Sequence, residues 1–264
     1  MPFCTLHEKD EIIGLFEHDP YLNIYGLGDL DDLFWPRTCW YGYREKGKLA
    51  AAVCLYAGPD VPTLLALSDD AAAMTRLLED VRYLLPYKFF AHLSPGLEKL
   101  FTESHDFESA KTHYKMALSG GNLLSDSGAD EIVRLTSGDI SLLQALYAMS
   151  YPGNWFDPDM LDQNRYFGIK KDGRLLCVAG THVYSPAYRA AAIGNITTLP
   201  AHRGRGLAGI VTSRLCRMLL SEGLRVGLNV STENKPAIAC YERIGFRINA
   251  EYSEFTLQRK NTTS

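Results

Sequence analysis

The stretch Leu199-Pro200-Ala201-His202-Arg203-Gly204-Arg205-Gly206-Leu207-Ala208 has the residue types that bind an anion. A strand-like run ends just before it. Leu207, Ile210, Val211, Leu215, Met218 and Leu219 then recur at helical spacing, so the loop joins a strand to an amphipathic helix. Its glycines let backbone N–H groups approach a ligand without Cβ interference. The first turn of the helix leaves its own N–H groups unpaired, with the positive end of the dipole behind them. Together these features predict a phosphate cradle, to which Arg203 and Arg205 add mobile positive charge. The same residues also read as an ordinary turn, and the loop alone does not choose between the two.

Further along, the chain reads Asn234-Lys235-Pro236-Ala237-Ile238-Ala239-Cys240-Tyr241-Glu242-Arg243-Ile244-Gly245-Phe246. With this second segment the chain resembles the GNAT superfamily of acyl-CoA-dependent N-acyltransferases. The pattern Q/R-x-x-G-x-G/A falls on Arg203, Gly206 and Ala208. An Asn followed by a helix ending Y-x-x-x-G-F falls on Asn234, Tyr241, Gly245 and Phe246. The resemblance covers residues 131–257.

The resemblance implies a co-substrate, acetyl-CoA or another acyl-CoA, and no metal. Its pyrophosphate would rest on the N–H groups of Arg203, Gly204, Arg205, Gly206, Leu207 and Ala208. Its pantetheine arm would wedge between the strands ending at Thr198 and near Val230. Backbone groups of Thr197, Thr198 and Leu199 would pair with the arm, one N–H polarising the thioester carbonyl. Asn229 and Asn234 complete the expected cofactor set, although Asn234 equally suits a helix N-cap. Tyr241 would protonate the departing thiolate, since a phenol titrating near ~10 holds a proton at neutral pH. Tyr241 as an aromatic anchor on the last helix is the plainer alternative.

The implied reaction is direct attack by a neutral amine within a ternary complex, so no covalent cysteine is needed. Cys240 points away from its neighbour Tyr241 on a helix and reads as core. Many members of the superfamily carry a Glu on the strand before the cradle. Here that strand, Arg189–Thr198, has no carboxylate. The base would be His182 on the neighbouring strand, whose ordinary pKa suits the task, or Asp157 or Asp159, or a water. Trp155 and Phe156, in the loop Tyr151–Pro158, would favour an acceptor with an apolar part, or else close the core.

Helix and strand periodicities place a strand at Glu131–Leu135, a helix after Asp139 and a hairpin of Arg165–Lys170 with Leu175–Tyr184. Next come a strand over Ala190–Leu199, the cradle helix, a strand around Val226–Val230, a helix over Asn234–Ile244 and a final strand from Phe246. The N-terminal half repeats much of this order: a hairpin of Trp40–Arg44 with Leu49–Tyr56, then Thr63–Leu67, a helix from Asp70, Lys88–Leu93, a helix over Pro95–Ser104 and Lys111–Leu118. The expected fold is α/β: tandem GNAT-like domains, each a mixed, mostly antiparallel sheet flanked by helices, with splayed central strands in the C-terminal one. Ser119–Asp130 reads as a linker, giving domains at 1–120 and 131–264 with 121–130 between them. Ser68-Asp69-Asp70-Ala71 stands where the first half should carry its cradle, and its carboxylates would repel a pyrophosphate. That half is therefore expected to be degenerate and to bind no CoA, an architecture similar to glycine N-acyltransferase-like tandem proteins. Gly26-Leu27-Gly28-Asp29 lacks the strand and third glycine of a dinucleotide site.

Composition narrows the partners. A net charge of −4 argues against broad binding to nucleic acid or an anionic membrane. The six cysteines show no metal-ligand spacing, which points to reduced thiols in a cytoplasmic protein, and no apolar run has the length of a membrane helix. The partner expected is a small-molecule amine, and a homodimer is compatible with the sequence. The reading is an N-acetyltransferase for a small or amino-acid-like amine. The alternatives are transfer of a longer acyl chain and a CoA-binding regulator without turnover.

Overall fold

A computed structural model describes residues 3–261 except 59, 121, 126–131, 155 and 164. The chain divides into two compact units, Met1–Lys115 with Asn249–Ser264, and Met116–Ile248.

The first unit runs β1 (Cys4–Thr5), α1 (Lys9–Phe16), α2 (Ile24–Asp29), β2 (Thr38–Glu45), β3 (Lys48–Tyr56), β4 (Thr63–Ala66), α3 (Ala71–Val81), β5 (Lys88–Leu93) and most of β6 (His105–Leu118). The second holds β7 (Ile132–Arg134), α4 (Ile140–Ser150), α5 (Met160–Gln163), β8 (Tyr166–Lys171), β9 (Arg174–Ser185), β10 (Ala190–Thr198), α6 (Leu207–Ser221), β11 (Arg225–Ser231), α7 (Lys235–Arg243) and the start of β12 (Phe246–Arg259). Strand order is β1-β2-β3-β4-β5-β12 in the first unit and β11-β10-β9-β8-β7 in the second. Each has one parallel pair, β4 with β5 and β10 with β11, among antiparallel neighbours. Hairpin, strand, helix, strand thus occurs twice, as β2-β3-β4-α3-β5 and β8-β9-β10-α6-β11.

In α3, Asp70 accepts the Ala73 N–H at 2.9 Å as an N-cap. Met74, Leu77, Leu78 and Val81 form the buried stripe that packs on β3, β4 and β5. Leu84, which continues the same spacing, is half exposed because the helix has tightened to a 3-10 turn by Arg82. The helix expected at Pro95–Ser104 is a 3-10 turn, Leu97–Phe101. Gly26 lies inside α2, where a Cβ would meet the Phe16 ring at 2.6 Å, so its smallness lets α1 and α2 pack.

The last strand departs from the sequence division. At about 3.3 Å per residue, its 14 residues reach roughly 46 Å. Phe246 is buried in the second unit, whereas Phe255 and Leu257 join the core of the first and Glu254 pairs with His92 of β5. Residues 249–264 therefore fold with the first unit, not with 131–264. Of the segment expected as linker, 121 and 126–130 lie outside the described residues. Leu124 is fixed on α6, its N–H on Ser213 Oγ at 3.0 Å and its carbonyl taking Arg217 Nη1 at 2.6 Å.

The two parallel pairs differ where it matters. In the first unit β4 and β5 stay paired to Ala66 and Leu93. The Ser94 N–H then donates to the Ala66 carbonyl, and Ser94 Oγ takes the Ser68 N–H at 3.0 Å while donating to the Ser68 carbonyl at 3.1 Å. The strands are laced shut. In the second unit pairing stops at Ile193 with Leu228, and the strands separate.

On the first unit's sheet, Lys115 is 1% exposed, its Nζ 5.0 Å from the Tyr25 ring centroid and 4.8 Å from that of Tyr252. Glu254 stands near it, hydrogen-bonded by Tyr252 and 3.5 Å from His92 Nε2 and 3.7 Å from His113 Nε2. Burial pushes the Lys115 ammonium down to about 7, partly opposed by Glu254 and Asp19, and pushes His92 down as well. Between pH 7 and ~10.4 the unfolded chain binds a proton at Lys115 that the folded unit has released, so stability rises with pH across that window. Below it both states are protonated and the full penalty applies. Lys115→Met is therefore expected to raise the melting temperature at pH 7 and to flatten its rise towards pH 10. Melts across that range that give parallel slopes for both proteins would refute this.

Candidate active site

The site begins where β10 leaves β11. β10 remains paired with β9 as far as Thr198 opposite Cys177, through register shifts on either side of Ile193–Gly194. Asn195, within the second irregularity, takes φ +53°, the local distortion that lets one strand bend away from a neighbour. The Leu199 N–H donates to the Leu176 carbonyl at 2.8 Å. Leu199 thus faces β9 and is withdrawn from the expected pairing with a cofactor arm. Strand alternation then turns Thr198 the other way, its N–H towards the opening. Thr197 points its Oγ1 at the Ser150 carbonyl (3.4 Å), and Thr198 Oγ1 donates to Cys177 Sγ at 3.1 Å. Asn229 stands on β11, one residue beyond the last pair.

At the end of β10, Gly204 and Gly206 take φ +77° and +78°, which any side chain would strain. A Cβ on either would project into open space. The first helical bond of this turn is Ile210 N–H to the Gly206 carbonyl, so the N–H groups of Leu207, Ala208 and Gly209 precede it. Those of Gly204, Arg205 and Gly206 make no hydrogen bond among the described residues. Arg203 differs from expectation. Its N–H donates to the Pro200 carbonyl, and its guanidinium is held by the carbonyls of Thr198 (Nε, 3.2 Å) and Ser150 (Nη2, 3.0 Å). It is a clasp, which leaves Arg205 as the other arginine of the loop. Beside the cradle a cavity of about 460 Å³ is lined by Lys171, Arg174, His202 and Arg205 over Leu176, Leu199 and Leu207, with Asp172 at its edge. A glycine-bounded row of N–H groups with a cationic, leucine-floored cavity fits a pyrophosphate joined to a nucleoside.

Tyr241 projects from α7 with its ring edge-on to Phe246, centroids 5.9 Å apart. Its hydroxyl makes no hydrogen bond among the described residues. Burial, reinforced by Cys240, Tyr151, Cys177 and Cys216, pushes the phenol well above its ordinary range, so it keeps its proton. Gly245, with φ +108°, has no space for a Cβ: the Gly120 carbonyl oxygen would lie 1.9 Å away. Asn234 caps α7, its Oδ1 taking the Ala237 N–H at 3.2 Å. The cap occupies the oxygen and leaves only the amide nitrogen end for an arm.

His182 lies flat over Gly194 of β10, where a Cβ would sit 1.9 Å from its Cδ2. Burial pushes it down to about 4, so it is neutral at pH 7. Asp157 is exposed and organises the start of α5, accepting the Asp159 N–H at 3.0 Å; Asp159 is exposed too. Phe156 packs on Tyr147 and Tyr166, centroids 5.3 and 6.0 Å away, as part of the α4 core. Trp155 lies outside the described residues.

Sequence reasoning missed the polar group that supports the bend in β10. The Tyr147 hydroxyl donates to the Asn195 carbonyl (3.0 Å), Asn195 Nδ2 to the Tyr166 hydroxyl (2.9 Å) and Asn154 Nδ2 to Asn195 Oδ1 (3.4 Å). The one available signal was an Asn inside an otherwise apolar strand, a residue type that tolerates φ > 0.

A hairpin–strand–helix–strand order that occurs twice, with the second parallel pair parting above a glycine loop, has the layout of a tandem GNAT fold. Residues 138–246 match the model of the Acetyltransferase (GNAT) family, and the chain thus carries a GNAT acetyltransferase domain. Among curated proteins nothing matches. Among solved structures, a Drosophila protein superposes with TM-score 0.73 at 16% identity, covering 97% of this chain and 98% of its own. A tandem GNAT protein from the clavulanic acid biosynthesis pathway gives 0.58 at 16%, covering 97% and 98%. A GNAT-family acetyltransferase structure from Novosphingobium aromaticivorans gives 0.59 at 22%, covering 79% and 89%. These likenesses concern the fold. No helix among the described residues is long and apolar enough to cross a membrane.

Proposed function

We propose that the second unit transfers an acetyl group from acetyl-CoA to the amine of a small, amino-acid-like acceptor. The observation that carries this reading is the parting of β10 from β11 directly above the Gly204–Gly206 cradle. The N–H groups of Gly204 to Gly209 would hold the pyrophosphate, and Arg205 with the cationic cavity would hold the phosphorylated nucleoside end. The co-substrate supplies the thioester.

The Thr198 N–H would donate to the thioester carbonyl as negative charge grows there. His182, neutral over Gly194, would take the proton that the amine loses as its C–N bond forms. Tyr241 would give its proton to the sulfur as the C–S bond breaks. The laced β4–β5 pair and the capping role of Asp70 support a first unit that binds no CoA.

Thermal shift with acetyl-CoA, free CoA, longer acyl-CoAs and dephospho-CoA tests the reading. At a hundred times its dissociation constant a ligand stabilises by ~2.7 kcal/mol, several degrees for a domain of this size. Acetyl-CoA is expected to shift the melt, dephospho-CoA less so. A larger shift with a long chain would select a longer-acyl transferase. Release of free thiol with primary amines separates an enzyme from a CoA-binding regulator, and no shift with any ligand would sink both.

A further inference from the structure

Three side-chain hydrogen bonds tie α4 to the chain beyond the parting of β10 from β11, two to β10 itself and one to the glycine loop that follows it. Near the C-terminal end of the helix, the Tyr147 hydroxyl donates to the Asn195 carbonyl, and the Ser150 carbonyl accepts both Thr197 Oγ1 (3.4 Å) and Arg203 Nη2 (3.0 Å). Arg203 also holds the Thr198 carbonyl at 3.2 Å, next to the N–H assigned to the thioester. Ser150 is the last residue of α4, so a cation there also meets the negative end of the helix dipole. The chain leaves α4 into Tyr151–Pro158, and Asn154 of that loop bonds Asn195 in turn. The cradle, the parted strand and the loop therefore share one clasp.

We infer that Arg203 is a positioning residue that couples occupancy of the cofactor cradle to the order of residues 151–154, which follow α4. The inference rests on the acyl-CoA reading of the cradle. The guanidinium lies on carbonyls, and the Arg203 N–H is already held by Pro200, so the residue's contribution to binary CoA affinity is small. Its effect falls on the loop after α4. A ligand settling on the Gly204–Gly209 amides fixes the Arg203 turn, the turn fixes the Ser150 carbonyl, and the loop begins from there. Acyl-CoA then prepares the acceptor side before the acceptor arrives, and linkage makes the effect reciprocal.

The test uses free coenzyme A and the full chain, with calorimetry for affinity and amide hydrogen exchange for the loop. In the wild type, coenzyme A is expected to slow exchange at Tyr151 and Asn154, whose N–H groups bond the Tyr147 and Tyr151 carbonyls, by about tenfold. Arg203→Ala is expected to bind coenzyme A within threefold of wild type while losing that protection. Arg203→Lys, with one donor group to offer, should recover part of it, and Thr197→Val should weaken it without touching the arginine. Equal protection in wild type and Arg203→Ala, or none in a wild type that binds, overturns the inference. A tenfold loss of affinity in Arg203→Ala also overturns it, by making the arginine a phosphate ligand. A wild type that binds no coenzyme A is read in the calorimeter first, and there the acyl-CoA reading itself fails and takes the coupling with it.

Discussion

Gly206→Asp is expected to weaken coenzyme A binding by at least a hundredfold, about 2.7 kcal/mol. Two effects add. At φ +78° any Cβ carries left-handed strain of ~1–2 kcal/mol, and the carboxylate would stand in the open space where a pyrophosphate must lie. Gly206→Ala separates the terms: it keeps the strain without the charge, and about a tenfold loss is expected. Calorimetric titration checks both, with thermal melts to confirm that the variants fold. Gly206 is N-cap to α6 and exposed, so neither variant disturbs the core. Undiminished binding by the Asp variant would make the loop a turn and remove the cofactor site.

Tyr241→Phe is expected to lower kcat by 10²- to 10⁴-fold, the range of general acid catalysis, with little change in coenzyme A affinity. The substitution keeps the edge-on ring contact with Phe246 and deletes only the hydroxyl, so a loss of rate without a loss of melting temperature isolates the proton. Because burial holds the phenol above its ordinary range, Tyr241 stays protonated through pH 10. Any alkaline fall in rate below that pH then has another origin. Steady-state kinetics with the amine found by thiol release would decide, and an unchanged kcat would leave Tyr241 as an aromatic anchor only.

The glycine loop and the last helix were legible because their constraints are local. A positive φ at Gly204 and Gly206, a helix start at Leu207 and a Pro-bearing start to α7 depend on residues a few positions apart. Gly245 is different: its motif position is visible in the chain, but the carbonyl that forbids a Cβ comes from Gly120, 125 positions earlier. Arg203 shows the limit more sharply. Its type and place beside two glycines suggest a phosphate ligand, and only the approach of the α4 C-terminus turns it onto carbonyls.

By itself the sequence determined a duplicated α/β chain, the glycine loop with its helix, the tyrosine on α7 and the absence of a carboxylate on β10, since each follows from residue type and short-range period. Tertiary structure alone decided that β12 ends in the first unit, that Leu199 is bound to β9, that β4–β5 is laced by Ser68 and Ser94 while β10–β11 opens, and that Lys115 is buried under two tyrosines. The physical reason is common to all of these. Side-chain period says which face a residue presents, but the hydrogen-bond partner of a strand edge or a buried cation is chosen by whichever distant element arrives beside it.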